Sequence, residues 1–93
     1  MNKVYLIHLD FTNGWEQENQ TRVALTYEKA KEILKQWAED EMCNSWIGDY
    51  IESGLNEEQL DNYEFTDTYF DAQYGELRTT IWIKEKEIEK WKH

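Results

Sequence analysis

The sequence predicts an α+β domain in which a small antiparallel sheet packs on one main helix. Apolar, β-prone runs lie near both ends of the chain, at residues 4–9 and 77–83, and one long amphipathic stretch lies between them at residues 27–42. We therefore expect an N-terminal and a C-terminal hairpin to share one sheet, with short helices in the middle. The 93 residues are 40% hydrophobic and contain no proline to mark a linker, so a single domain over residues 1–93 is expected.

The N-terminal hairpin begins with residues 4–9, whose aromatic and branched side chains are typical of a strand covered on both faces. Asn13 and Gly14 suit a type I′ turn, because both central residues of that turn need positive φ. Residues 16–20 are polar throughout. The return strand is therefore expected only at residues 21–25, with Trp15 folded back over the sheet.

The main helix is predicted over residues 27–42, with Thr26 as its N-cap. Five apolar residues fall on one face at helical spacing: Ala30, Ile33, Leu34, Trp37 and Ala38. A second apolar stripe is centred nearly opposite the first and consists of Trp46, Ile47, Tyr50 and Ile51. One straight helix cannot bury both stripes, so we expect a break at residues 43–45 and a second short helix to Ser53, closed by Gly54.

The remaining elements are a helical turn and the C-terminal hairpin. Asn56 and Gln59 have the spacing of a capping box, which predicts one more helical turn. The sequence predicts one strand with a bulge at residues 63–72 and a turn into the last strand at residues 73–76. From residue 84 onward, Lys at even positions alternates with Glu at odd positions. As a strand, this tail would have a basic side able to neutralise acids on its neighbour; an exposed, fraying end is the alternative.

The charges are distributed very unevenly. Residues 39–76, here called the acidic block, contain twelve Asp and Glu and no Lys or Arg. Residues 1–38 are neutral and residues 77–93 carry two more bases than acids, so the net charge of −10 comes entirely from the block. Such a chain repels nucleic acid and anionic membranes and attracts basic protein surfaces. The N-terminal apolar run is too short for a signal peptide or a membrane span, and a cytoplasmic location is expected.

Catalytic and metal-binding patterns are not evident. The single cysteine, Cys43, and two His residues at opposite ends of the chain do not form a zinc motif. His8 and Asp10 share one side of a strand and are interpreted as structural neighbours. Asp61, Asp67 and Asp71 are too widely spaced for a calcium loop. We expect a non-enzymatic protein without a cofactor.

The acidic block predicts a partner-binding surface. Acids three or four residues apart on a helix lie about 6 Å apart and can present a row of negative charge. Five acids are candidates for a DNA-like surface that competes for a basic groove: Asp49, Glu52, Glu57, Glu58 and Asp61. Trp46 and Tyr50 are the candidate aromatic anchors. Two alternatives remain open: a merely solvated acidic surface, and self-association through exposed aromatic residues into a homodimer.

The last third of the chain resembles the C-terminal hairpin of small phage and mobile-element proteins. The residues that carry this resemblance are Tyr69-Phe70-Asp71-Ala72 and the run from Thr80 to Glu87. In size and acidity the chain is also similar to anti-restriction and anti-CRISPR proteins, many of which imitate DNA or block a nucleic-acid channel. The resemblance implies inhibition of a host nucleic-acid-binding or defence protein. It transfers no functional residue to this chain.

Overall fold

The computed structural model describes residues 2–54 and 57–88, which form a five-stranded antiparallel sheet with two helices on one face. The elements in chain order are β1 (Asn2–Thr12), β2 (Gln17–Ala24), α1 (Tyr27–Asn44), α2 (Trp46–Glu52), a 3₁₀ turn (Glu57–Gln59), β3 (Asn62–Phe65), β4 (Tyr69–Tyr74) and β5 (Leu77–Ile88). The strand order is β2-β1-β5-β4-β3. The predicted α+β class, with strands from both ends of the chain in one sheet on a main helix, is confirmed.

The centre of the sheet is the pairing of β1 with β5. Ile7 and Leu9 on β1 lie opposite Ile83 and Ile81 on β5, and Ile7, Leu9 and Ile81 are buried in the core. The intervening residues, such as Leu6, point to the other side of the sheet and are only half-buried. Within the described residues, β1 is therefore covered by helices on one face and not on both as expected. The uncovered side is called the open face.

The β1–β2 hairpin differs from the prediction. β2 starts at Gln17, which pairs with Thr12, so the return strand begins four residues earlier than expected and is three residues longer. The connection is not a type I′ turn, because among its described residues only Gly14 has positive φ, at 107°. The Asn13 side chain accepts hydrogen bonds from the N–H groups of Trp15 and Glu16 instead. Polar residues form this strand readily because they lie at an exposed edge, where backbone pairing needs no buried side chains.

Trp15 does not fold back over the sheet. Its side chain is 86% exposed at the tip of the hairpin.

Helix α1 follows the predicted pattern closely. Thr26 caps it by accepting the N–H of Lys29 at 3.1 Å. Four residues of the predicted stripe are fully buried and Ile33 is half-buried; the buried four are Ala30, Leu34, Trp37 and Ala38. The helix continues to Asn44, two residues past the predicted end. Ser45 then breaks the chain direction, as expected, in an extended conformation.

The stretch predicted as one strand at residues 63–72 is two strands joined by a turn. Phe65 on β3 pairs with Phe70 on β4, and Thr66 donates its N–H to the carbonyl of Tyr69 at 2.8 Å. The reversal at residues 66–68 explains the mixed alternation, because it lets odd residues of β3 and even residues of β4 face the same core. Phe65 and Phe70 indeed meet edge-to-face with centroids 5.4 Å apart.

The structure also describes the β4–β5 turn and the first part of the tail, up to Ile88. The β4–β5 turn is tighter than predicted, since Tyr74 already pairs with Leu77 and Gly75 adopts φ 60°. β5 continues to Ile88, where Lys84 and Lys86 lie opposite Leu6 and Val4 rather than acids. Of the two alternatives for the tail, neutralisation of acids on the neighbouring strand does not apply to Lys84 and Lys86, which are exposed. Residues 89–93 lie outside the described residues, as does Asn56 of the predicted capping box; the helical turn predicted there is a 3₁₀ turn at Glu57–Gln59.

A buried carboxylate joins the last three strands. Asp71 on β4 is 1% exposed and is held by both Nε and Nη2 of Arg78, each at 3.0 Å. Asn62 on β3 and Thr80 on β5 donate to the same carboxylate. The hydrogen bond and the charge of Asp71 raise the pKa of Arg78 further. A bidentate pair with two further donors satisfies a buried charge well.

Removing the cation of this pair should destabilise the fold. We expect Arg78→Ala to lower the free energy of unfolding by about 2–3 kcal/mol, because it leaves the Asp71 carboxylate buried with neutral donors only. Urea unfolding followed by circular dichroism measures the change. Lys84→Ala, which removes an exposed cation from the same strand, should stay within about 0.5 kcal/mol of the parent. Equal effects of the two substitutions would contradict a structural role for the Asp71 pair.

Candidate acidic interface

Helix α2 is fixed firmly on the rest of the domain. Ser45 joins the two helices: its hydroxyl accepts the N–H of Ile47, and its own N–H donates to the carbonyl of Glu41. Ile47 is 1% exposed. A Cβ at position 48 would overlap the backbone carbonyl of Cys43, so only glycine permits this close approach of α2 to the end of α1. The acids of α2 are therefore presented from a rigid support.

The two predicted aromatic anchors also connect α2 to the sheet. Trp46 donates its indole N–H to the hydroxyl of the buried Thr79 at 2.9 Å. Tyr50 contacts Trp46 edge-to-face and lies 4.3 Å from the ring of Tyr74 between centroids. Both anchors are half-buried, so only part of each ring is accessible to a partner.

The five predicted acids differ in their surroundings. Asp49 and Glu52 are exposed on α2, and Glu58 is exposed on the 3₁₀ turn. Glu57 lies in the same turn, and its side chain is outside the described residues. Asp61 is exposed but accepts the N–H of Gly75 at 2.6 Å, which makes it part of the β4–β5 turn. The structure thus groups Asp49 and Glu52 on one short helix and gives Asp61 a local structural role.

The end of α1 adds further acids. Glu39 and Asp40 are exposed, and Asp40 accepts a hydrogen bond from the Asn44 side chain at 2.8 Å. Glu41 is half-buried. Burial raises the pKa of Glu41, and Asp40 raises it further, whereas Arg22 lowers it. Neither α1 nor α2 has a basic residue in its last turn, so acids stand where the helix dipole favours cations.

Two acids of the block that lie beyond the helices form ion pairs. Among the described residues, these pairs are Asp71 with Arg78 and Asp67 with Lys31, the latter at 4.0 Å. Both basic partners lie outside the block in sequence. The described acids that the block places on α1 and α2 form no ion pair of this kind, although Arg22 lowers the pKa of Glu41.

Sequence reasoning missed a row of rings on the open face. His8 on β1 lies against Trp82 on β5 with centroids 5.3 Å apart, and Tyr69 on β4 pairs with Trp82. His8 Nδ1 lies 3.0 Å from the Thr21 hydroxyl, which agrees with its interpretation as a structural residue. The strand register that aligns these residues is a long-range property. The sequence alone predicts which residues of one strand share a face, but not which residues of different strands lie side by side.

Other chemistries find little support in the described part of the chain. No group of three or more His, Cys, Asp or Glu residues there is arranged to hold a metal ion. No helix there has the length and apolar character needed to cross a membrane. Comparison of the chain with protein-family models, curated proteins and solved structures gives no match.

Because Glu41 is half-buried, replacing it is predicted to stabilise the protein at a pH where its carboxyl group is ionised. A raised pKa in the folded state means that the folded protein ionises Glu41 less readily than the unfolded chain does. The free energy of unfolding therefore decreases as pH rises from the ordinary pKa of Glu41 to its raised pKa in the folded protein. We expect Glu41→Gln to increase the free energy of unfolding at pH 7 and to have little effect near pH 4.

Urea unfolding at both pH values tests this expectation for Glu41. Glu39→Gln removes the same charge from an exposed site of the same helix and should give a smaller gain. A Glu41→Gln effect that is equal at the two pH values would contradict the burial of an ionised carboxyl group.

The contact of Trp46 with Thr79 predicts a structural cost. Trp46→Phe keeps an aromatic ring but removes the indole N–H, and it should lower the free energy of unfolding by about 1–2 kcal/mol. Trp15→Phe at the exposed hairpin tip should change it by less than about 0.5 kcal/mol. Chemical denaturation of both variants checks the difference. Equal stability would show that the hydrogen bond does not hold α2 on the sheet.

Proposed function

We propose that this chain is a non-enzymatic binding protein that docks its acidic helices on a basic surface of a nucleic-acid-handling protein. The acidic helical surface consists of Glu39, Asp40, Asp49, Glu52 and Glu58, all exposed. The observation that carries the proposal is the position of these acids. Glu39 and Asp40 lie near the C-terminal end of α1 and Glu52 ends α2, and neither helix has a basic residue in its last turn, so the helix dipole disfavours acids at these ends. A stability cost without local compensation is typical of a functional surface.

The support of this surface favours binding. Ile47, Gly48 and the Trp46–Thr79 hydrogen bond hold α2 in one position on the sheet. A preorganised surface loses less conformational entropy when it binds. Side-chain order still has to be gained on binding, because the acids themselves are exposed. The rigid backbone therefore lowers only the backbone part of the entropic cost.

The charge pattern indicates the class of partner. Asp49 and Glu52 are three residues apart on a helix, where side chains are neighbours about 6 Å apart. A basic groove that binds the phosphates of nucleic acid offers Lys and Arg at comparable spacing. The net charge of −10 would steer the chain towards such a groove. The resemblance to phage inhibitors favours a host or defence protein as target, with the cytoplasm as the place of action.

The test compares two variants of equal charge. Asp49→Lys with Glu52→Lys changes the acidic helical surface, and Glu16→Lys with Glu87→Lys changes exposed acids elsewhere. Each pair of reversals changes the net charge from −10 to −6, since every reversal adds two charges. Tagged parent and variants capture proteins from nuclease-treated bacterial lysate at about 50 and about 500 mM salt.

We expect the parent and the Glu16/Glu87 variant to retain one basic nucleic-acid-handling protein at low salt. The Asp49/Glu52 variant should lose it, with an affinity at least roughly tenfold weaker when the purified partner is titrated. Circular dichroism verifies that both variants are folded. Equal retention by both variants, or a partner without a basic surface, would refute the proposed function.

A further inference from the structure

Strand β2 has a long edge that no other strand of the described residues pairs with. It is the outermost strand of the sheet on the β1 side, and residues 17–23 are all exposed. The edge at the other side is β3, which has only four residues. Every second N–H and C=O group of an edge strand points away from the sheet and is free to pair with another strand. β2 is therefore the larger docking edge of the described domain.

This edge lacks several of the features that prevent strand pairing. Proteins protect edge strands with charged side chains, lysine above all, with proline or with a β-bulge. The charged residues of β2 are Glu18 and Arg22, which have opposite signs. β2 contains neither Lys nor Pro, and its pairing with β1 runs one-to-one from Ala24 opposite Tyr5 to Gln17 opposite Thr12. The strand is thus regular along its whole length. It has the backbone geometry needed to receive another antiparallel strand.

The side chains of β2 are complementary to a second copy of the same strand. In an antiparallel pair with Gln20 opposite Gln20 of the second copy, Glu18 lies opposite Arg22, and the same pair occurs again across the two-fold axis. Opposite charges placed directly across two strands stabilise the pair. Gln20 is near the middle of the strand, so this register aligns seven residues of each copy, 17–23. Registers shifted by two residues do not bring Glu18 opposite Arg22.

Both charged side chains lie on the helix side of the sheet. Arg22 stacks its guanidinium carbon 3.9 Å from the ring centroid of Trp37, so it lies on the helix side of the sheet. Stacking uses the face of the guanidinium group and leaves N–H groups at its edge for a carboxylate. Glu18 has the same strand parity as Arg22 and is exposed. Arg22 pairs with Ile7 and Glu18 pairs with Phe11, which places both charged residues on the core side of the sheet.

We infer that two copies of this chain associate by antiparallel pairing of their β2 strands, with Glu18 and Arg22 forming reciprocal ion pairs. The two-fold axis is perpendicular to the sheet and passes midway between the two copies of Gln20. The result is a continuous ten-stranded sheet, five strands from each copy, with the helices of both copies on one side. The β2 edge is separate from the α2 part of the acidic helical surface, because α2 packs near β4 and β5. The inference does not depend on the proposed function.

Sedimentation equilibrium over a wide concentration range tests the association with charge variants. Glu18→Arg places like charges opposite each other at the axis, and Arg22→Glu does the same with the opposite sign. Each variant alone should dimerise at least roughly tenfold more weakly than the parent. An equimolar mixture should form heterodimers, because each introduced charge then meets its opposite. Glu16→Arg, a matched change just outside β2, should dimerise like the parent.

A cross-linking experiment tests the register without charge reversal. Cys43 is exposed and unpaired, so Cys43→Ser provides the background. Gln20→Cys should give a disulfide-linked dimer under mild oxidation, since the two copies of this residue face each other at about 5 Å between Cβ atoms. Gln17→Cys should not, because residue 17 lies opposite residue 23 in this register.

Weaker dimerisation of a variant can be distinguished from a failure of that variant to fold. Circular dichroism and the fluorescence of the parent provide the reference for a folded variant, and recovery by mixing requires that both variants fold. A parent that is monomeric at all concentrations overturns the inference. So does a dimer that Glu18→Arg does not weaken, or cross-linking through residue 17 rather than residue 20. If the parent dimerises as expected but captures no basic protein from lysate, only the proposed function is contradicted.

Discussion

The pairing of β1 with β5 is the constraint on which the rest of the fold depends. It joins the two ends of the described chain over eleven positions, from Asn2 opposite Ile88 to Thr12 opposite Arg78. With these strands at the centre, β2 and the β4–β3 hairpin can only extend the sheet outward, one on each side. The long connection from β2 to β3 then contains both helices and crosses one face. Two surfaces follow from this topology: an acidic helical layer and a free edge at β2.

The distribution of charge follows the same division. Two acids beyond the helices are used by the fold: Asp71 joins three strands and pairs with Arg78, and Asp61 fixes the turn at Gly75. At the end of α1, Asp40 accepts a hydrogen bond from Asn44 of the same helix, and burial raises the pKa of Glu41. The net charge of −10 is therefore not a uniform property of the surface. It is concentrated where the backbone is rigid and the helix dipoles already contribute negative potential.

The parts of the fold that depend on local signals could be predicted from the sequence, and the parts that depend on pairing could not. The cap at Thr26, the buried stripe of α1 and the break at Ser45 are all encoded within a few residues. The hairpin between Phe65 and Phe70 was hidden, because a turn without glycine or proline left only a mixed alternation. The polar start of β2 gave no hydrophobic signal, since an edge strand needs none. The Trp46–Thr79 hydrogen bond joins residues 33 positions apart and has no local signature.

The sequence identified the acids of the candidate site but not their different roles. Asp49, Glu52 and Asp61 look alike in the chain, and only the position of Gly75 shows that Asp61 belongs to a turn. The same topology relates the two proposed surfaces. A two-fold axis perpendicular to the sheet leaves both acidic helical layers facing the same direction. Two such layers on one rigid sheet would engage an extended basic partner at two points, and the second contact would form at a high effective concentration. An affinity that is modest for one acidic surface would then be sufficient for the pair.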